Sequence, residues 1–188
     1  MKEQILKLLM EHGGPFPYNH VQRLMHLIEI IGQDVDYDRE VIWYATHLHD
    51  FGAFPAFNPA NAEFDHWLRS RKVAEELLAS SNLSSEAKEK IYIAIEHHDY
   101  RVVDPNPNIE TTLVRDADFL DFLGIIGAAR EFARGPRDLK QCYEKTIARR
   151  DGVMDKITLP RAKQLAAERL SRMNSFLEML DQESFSYL

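Results

Sequence analysis

The chain has 188 residues, of which 45% are hydrophobic and 28% are charged, and its formal net charge is −7. This length predicts a single domain with a sizeable core, and the ordinary composition excludes a disordered or membrane-resident chain. The acidic charge would repel a phosphate backbone, so we expect no binding to nucleic acid duplexes. The negative net charge does not exclude a small anionic substrate, because metal ions and a few arginines can make the binding site locally positive.

The start of the chain and its cysteine content bear on where the protein works. No apolar run approaches the roughly 20 residues that cross a bilayer, and Met1–Lys7 lacks the apolar core of a signal peptide. We therefore expect a cytoplasmic protein with no membrane partner. The single cysteine, Cys142, cannot form an internal disulfide and is interpreted as a small buried hydrophobic residue.

Nearly every long segment carries the 3.6-residue apolar period of a helix, which predicts an all-α fold in one compact bundle. Glycine and proline clusters separate the segments, and the irregular stretches Phe54–Asn61 and Arg101–Asn108 are predicted to form pocket rims. The predicted helices cover about Lys2–His12, an Asn19 N-cap to Gly32, Asp36 or Asp38 to Asp50, about Glu63–Ser80, Ser84 or Ser85 through His98, a segment through Asp118 and Asp121, and two more, the last from Thr158.

Four of the eight histidines fall at a helix start or on an inward-facing helical stripe: His20, His49, His66 and His98. Any one of them alone is more simply a core or surface histidine with a local hydrogen bond. Several buried imidazoles converging from separate helices are best satisfied by a metal ion. His12, His26 and His47 fit no such position, and His97, the rival of His98, is predicted to lie at the surface or to support a ligand.

The dipeptide His49-Asp50, at the end of an apolar helix, is the strongest local signal. With His20 one helix earlier and Asp118 on a later helix, it offers three or four nitrogen and oxygen ligands to one ion. Such donors suit manganese, iron, cobalt, nickel or zinc, and the lack of thiolates argues against a structural zinc site. The sequence therefore predicts a divalent transition-metal centre.

Five segments spread over most of the chain combine these histidines and aspartates in one order. They are His20–Arg23, Ala45–Gly52, His66 with Ser70 and Ala74, Ala94–His98, and Leu113–Gly124. Together they resemble the HD-domain superfamily of metal-dependent phosphohydrolases. The segment from Thr158 through Phe176 is similar to the end of a bacterial subgroup whose substrates are mostly unassigned. The resemblance implies one HD-type domain, with a metal-binding core over about 18–125 and C-terminal helices over about 136–183 packing on it.

The resemblance also implies a ligand set. In that superfamily the first His, the His-Asp pair and a later Asp bind a metal, which corresponds here to His20, His49, Asp50 and Asp118. Some branches hold a second ion through two further histidines, and His66 and His98 occupy those positions, with Asp50 as the bridge. One or two ions are therefore expected.

The implied reaction is hydrolysis of a phosphate ester in a nucleotide or related small phosphorylated metabolite, with Asp50 among the catalytic residues. The candidates for proton transfer, ligand orientation and phosphate binding are His66, Asp121 and Arg23. Asp121 could instead be a solvated surface charge or form an ion pair with Arg115 or Arg23. Arg23 could instead form an ordinary ion pair that supports a ligand. Ala53 stands where many superfamily members have a substrate-contacting lysine.

Two other functions remain open at this point. A few superfamily members with all six ligands are di-iron oxygenases, and a catalytically silent nucleotide-binding module is a further alternative. The intact quartet of His20, His49, Asp50 and Asp118 argues against the silent module. The substrate, the metal and a homo-oligomeric state are not determined by the sequence.

Overall fold

The computed structural model describes residues 1–59, 65–135, 137–185 and 187–188. Throughout these residues the regular structure is helical and no strand occurs, which confirms the all-α prediction. No described helix is long and apolar enough to cross a membrane. The α-helices are α1 (Lys2–Leu8), α2 (Pro15–Ile31), α3 (Arg39–Leu48), α4 (His66–Leu78), α5 (Ser85–Glu96), α6 (Ile109–Asp121), α7 (Gly124–Arg134), α8 (Leu139–Met154) and α9 (Pro160–Glu183).

Two compact units divide the chain, Met1–Arg115 and Asp116–Leu188. In the first, α5 packs against α3 and α4, and α4 also packs on the 3₁₀ turn Phe51–Ala53 that follows α3. In the second, α7 packs against both α8 and α9. The predicted organisation as one HD-type domain stays a prediction.

Four of the described helices begin where a short polar side chain accepts a backbone hydrogen bond from the first turn, including α6, where Asn108 Oδ1 accepts from the amide of Thr111. Asp38 accepts from the amides of Glu40 and Val41, and Ser84 accepts from that of Ala87. Asp138 does the same at the start of α8. Such caps satisfy amides that have no partner inside the helix. Of the starts that the sequence left open, the structure has Asp38 rather than Asp36 and Ser84 rather than Ser85.

Other predicted helix ends are shifted. The second helix begins at Pro15 rather than at an Asn19 cap, because proline is tolerated in the first turn of a helix, where its missing N–H costs nothing. Likewise α9 begins at Pro160 rather than Thr158. The predicted start of the fourth helix at Glu63 lies outside the described residues.

The end of α5 matters most for the site. This helix ends at Glu96, so His98 lies two residues beyond it, and its predicted place on the helical stripe with Ile91 and Ile95 was wrong. His98 is nevertheless buried, with 2% of its surface exposed. The non-helical backbone after α5, and not helical periodicity, therefore brings this ring inward.

In the second unit, Asp116 joins α6 to the start of α9. Its buried carboxylate accepts from the backbone amide of Leu159 at 2.7 Å and from that of Thr158 at 3.0 Å. These amides immediately precede α9, whose N-terminus carries partial positive charge. The carboxylate therefore acts as the N-terminal cap that α9 does not receive from its own residues.

We predict that Asp116→Ala lowers the free energy of unfolding by about 2 to 4 kcal/mol, because it leaves two amides without this charged acceptor. Urea unfolding followed by circular dichroism measures the change. Asp116→Asn keeps one acceptor oxygen, so its free energy of unfolding should fall by less than that of Asp116→Ala. An alanine variant with the midpoint of the parent protein would contradict this role.

Candidate metal centre

Five donor side chains of the first unit come from the ends of its helices. His20 lies in the second turn of α2, and His49 is the C-terminal cap residue of α3, with Asp50 directly after it. His66 is the first residue of α4, and His98 follows α5. Three of the four rings are buried, whereas His66 and Asp50 are partly exposed.

The first donor group consists of His20, His49 and Asp50. One ligand atom from each lies within 4.8 Å of the others. The Nε2 atoms of His20 and His49 are 3.3 Å apart, and Asp50 Oδ2 lies 3.5 Å from His49 Nε2. These atoms face one another closely enough to surround a single small cation.

The second donor group consists of Asp50, His66 and His98, again with ligand atoms within 4.8 Å of one another. Asp50 Oδ1 lies 3.5 Å from His66 Nε2 and 3.8 Å from His98 Nε2. The two oxygens of Asp50 thus face different groups. The same carboxylate therefore belongs to both.

The tautomers of two rings favour metal binding. His49 Nδ1 lies 2.8 Å from the carbonyl oxygen of Thr46, and His98 Nδ1 lies 2.6 Å from that of Ile95. A carbonyl oxygen only accepts, so each Nδ1 carries the proton and the neutral ring keeps a lone pair on Nε2. Both lone pairs lie on the nitrogens that face Asp50. The donors present therefore fit a divalent transition-metal ion.

The electrostatics of the group agree with that assignment. Burial acts to raise the pKa of Asp50, but His49 above all, with His98 and His20, outweighs it and holds this pKa well below its usual range. Burial lowers the pKa of His66, against the opposing effect of Asp50 and Asp99. An ionised carboxylate and neutral imidazoles are the forms that ligate metals.

Gly52 allows α4 to approach the turn that follows the His-Asp pair. Its amide donates to Ser70 Oγ at 2.9 Å, and its carbonyl accepts from Arg69 Nε at 2.9 Å. A Cβ atom here would lie 2.2 Å from the carbonyl oxygen of His66 and 2.5 Å from the amide nitrogen of Ser70. Only glycine therefore permits this distance between Asp50 and His66.

The remaining predicted residues are not part of these two groups. Asp118 is buried on α6 in the second unit, so its role as a ligand stays a prediction. Asp121 is buried and accepts from Arg130 Nη1, a partner that the sequence did not suggest. Arg23 lies on α2 and is partly exposed. The functions predicted for these three residues are not tested by their positions.

The other histidines have local partners. His97 Nδ1 lies 2.7 Å from Asp104 Oδ2. His47 stacks on Trp43 with 3.9 Å between ring centroids, and its Nδ1 bonds the Trp43 carbonyl. Burial lowers the pKa of His47 to about 4, so it is a neutral, structural residue.

Sequence reasoning missed Asp99. Its Oδ2 lies 3.7 Å from His66 Nε2, and it is buried. Burial acts to raise the pKa of Asp99, but hydrogen bonds from the side chain and backbone of Arg101 outweigh this and lower it. The available signal was His98-Asp99, which repeats the His-Asp dipeptide of residues 49 and 50.

We predict that Gly52→Ala impairs the second donor group, because the added methyl group must push the backbone at His66 away from the turn. The variant should bind less metal per chain by elemental analysis and should lose about 2 kcal/mol or more of unfolding free energy. Gly14→Ala is a space control, since no atom lies within 4 Å of its Cβ position, although its positive φ adds backbone strain. Equal metal content in parent and Gly52→Ala would refute the prediction.

The part of the chain that contains the donors matches a known protein family. The family model "HD domain" matches residues 18–123, which is more than half of the chain. A search of curated proteins found no match. The family model matches the span that contains all six predicted ligands.

Several solved structures have a similar fold. Bacillus subtilis YpgQ, crystallised in complex with ADP, is 20% identical with a TM-score of 0.69, and the match covers 97% of this chain and 92% of that one. A predicted HD superfamily hydrolase from an uncultured Thermotogales bacterium is 20% identical with a TM-score of 0.67, covering 96% and 91%. An HD-superfamily hydrolase from Bacillus thuringiensis is 25% identical with a TM-score of 0.64, covering 97% and 93%.

The family match and the fold agree with the resemblance that the histidine and aspartate segments carry. The helical architecture of the relatives extends over nearly the full length of this chain. Two His/Asp groups that could hold metal lie within the matched span. The chain therefore belongs to the HD-domain family.

Proposed function

We propose that the protein is a metal-dependent phosphohydrolase, a phosphomonoesterase or phosphodiesterase, that acts on a nucleotide or related small phosphorylated metabolite. The observation that carries the proposal is the pair of His/Asp groups sharing the carboxylate of Asp50. Shared carboxylates of this kind hold two ions side by side in phosphate-cleaving sites. One ion in the first group is the minimal form of the same centre.

The relatives support the class of reaction and of substrate. Two similar solved proteins are described as HD-superfamily hydrolases. The ADP complex of YpgQ supports a nucleotide as the substrate of this chain. A phosphate ester is also the substrate that gains most from an electropositive centre, because negative charge develops on its oxygens during cleavage.

The positions of the five donors in the first unit support the following roles, to which Asp118 is added from the resemblance. His20, His49 and Asp50 would hold one ion with Asp118 as a further ligand, and His66 and His98 would hold a second with Asp50. When bound, a divalent transition-metal ion supplies Lewis acidity that neutralises phosphoryl charge and acidifies water. Asp50 would be a ligand in both groups, since one of its oxygens faces the first group and the other faces the second.

Three further residues have roles outside ion binding in this proposal. His66, the most exposed of the four imidazoles, would transfer a proton where it is not a ligand. Arg23 would bind a phosphate oxygen, and Asp121, through its pair with Arg130, would help to hold α6 in the position that Asp118 requires. These assignments are tested by their effects on kcat and KM separately.

The metal content of single-alanine variants tests the two-group arrangement. If two ions bind, His20→Ala and His98→Ala should each lose one, and Asp50→Ala should lose both, because only Asp50 belongs to both groups. Elemental analysis of purified and reconstituted protein measures this. The matched control is His26→Ala, an exposed histidine on α2 whose ring lies 3.7 Å from Glu29. A parent protein that binds no metal after reconstitution would end the proposal.

Phosphate release tests the reaction itself. The metal-loaded protein should hydrolyse a nucleotide or p-nitrophenyl phosphate, a chelator should abolish the activity, and added metal should restore it. Asp50→Ala should lower kcat/KM at least about a hundredfold, because even residues that only support ligands cost 10- to 100-fold. A metal-loaded protein without phosphatase activity on any phosphate ester, or activity that survives in Asp50→Ala, would contradict the proposed hydrolysis.

The carboxylate shared by two histidine pairs also suits a di-iron oxygenase, the second candidate. Two irons per chain together with uptake of O₂ would favour it. Manganese, nickel or a single ion, with release of phosphate, would favour the hydrolase. Binding of a nucleotide without turnover would favour the silent module.

A further inference from the structure

We infer that Arg101, held in place by Asp99 and Trp67, binds a phosphoryl group of the substrate beside the metal centre. Arg101 lies in the irregular segment between α5 and α6, and 52% of its side chain is exposed. Its partner Asp99 is only 8% exposed at the side chain. The inference rests on the proposed function and adds the residue that receives the anionic part of the substrate.

The guanidinium of Arg101 is fixed before any ligand arrives. Its Nε donates to Asp99 Oδ1 at 2.8 Å and its Nη2 to Oδ2 at 2.9 Å, while the backbone amide of Arg101 donates to Oδ1 at 2.9 Å. The plane also lies over the Trp67 ring, 4.6 Å from its centroid. An arginine held on two sides binds at a lower entropic cost than a mobile one.

The same contacts set this guanidinium next to the donors. Asp99 Oδ2 lies 3.7 Å from His66 Nε2, which is itself 3.5 Å from Asp50 Oδ1. Trp67 follows His66 in the first turn of α4, and the two rings pack edge to face with centroids 5.2 Å apart. Arg101 is therefore separated from the second donor group by a single carboxylate.

The chemistry of the exposed part suits a phosphate. A guanidinium has five N–H donors, and the two side-chain bonds to Asp99 use two of them. The other donors belong to a side chain that is half exposed. Arginine binds phosphate through pairs of parallel hydrogen bonds, a geometry that a planar, fixed guanidinium provides. A metal centre that polarises one phosphoryl oxygen still requires a partner that orients the rest of the anion.

The competing explanation is that Arg101 only offsets the charge of Asp99 and thereby steadies His66. That role would change metal content or kcat and leave the binding of phosphate unchanged. Substrate binding by Arg101 instead predicts a change in KM and in phosphate affinity at constant metal content. The two explanations therefore differ in a measurable quantity.

Arg71 is a matched control on the same helix as Trp67. It too pairs with carboxylates, those of Glu75 and Glu96, and lies over an aromatic ring, that of Tyr92, at 5.8 Å. Its partners include none of the metal donors. Arg71→Gln removes an equivalent charge without touching the proposed site.

The experiment compares the full-length, metal-loaded parent with Arg101→Gln, Arg101→Lys and Arg71→Gln. Binding of inorganic phosphate is measured by calorimetry, and kcat and KM are measured with p-nitrophenyl phosphate. We expect Arg101→Gln to weaken phosphate binding and raise KM about tenfold, since one charge-assisted hydrogen-bonded group is lost. Arg101→Lys should recover part of this loss, because the charge remains but the paired donors do not. Arg71→Gln should match the parent.

Two results would overturn the inference. One is an Arg101→Gln variant with the phosphate affinity and KM of the parent, whether or not its metal content or kcat is lower. The other is an equal loss in Arg71→Gln, which would indicate a general effect of charge. The proposed function fails separately. A parent that binds phosphate through Arg101 without hydrolysing any ester refutes hydrolysis alone, and a parent that hydrolyses an ester with a KM unaffected by Arg101→Gln refutes the role of Arg101 alone.

Discussion

Asp50 directs one carboxylate oxygen toward His49 and the other toward His66 and His98. Buried imidazoles are costly unless their polar atoms are satisfied, and the rings of His20, His49 and His98 are almost completely buried. An ionised carboxylate between them offsets part of that cost and attracts a cation into the same space. The arrangement of α2, α3, α4 and α5 in the first unit is the one that brings these rings to a single aspartate.

Helix ends supply the orientation of the donors. The carbonyl groups of a last helical turn have no partner within the helix. His49 and His98 each donate Nδ1–H to such a carbonyl three residues earlier, at Thr46 and Ile95. This bond directs Nε2 away from the helix, and the partial negative charge at both C-termini favours a cation. The same hydrogen bond, from Nδ1 to the carbonyl three residues earlier, thus orients His49 at the end of α3 and His98 after α5.

The approach of α4 to the turn after α3 connects the two donor groups. It depends on Gly52, where any side chain would meet the backbone of α4. The first turn of α4 carries both His66 and Trp67, so the same approach sets a metal donor and the aromatic support of Arg101. Relatives of 20 to 25% identity share this architecture, but the fold alone does not specify such rim residues.

The sequence by itself determined the helical class, the HD family and the four histidines that approach Asp50, and it narrowed two helix starts to Asp36 or Asp38 and Ser84 or Ser85. These features depend on helical periodicity, on capping residues and on the order in which the His/Asp segments occur, and all three are local properties of the sequence. The resemblance implied that Asp50 bridges the two donor groups. Only the tertiary structure decided which oxygen of Asp50 faces which group, the inward position of His98 beyond α5, and the contacts of Asp99 and Asp121. The directions of the two Asp50 oxygens and the Asp99 contact depend on distances between side chains far apart in sequence. The position of His98 and the Asp121 contact depend on how the chain turns after a helix, which no local pattern specifies.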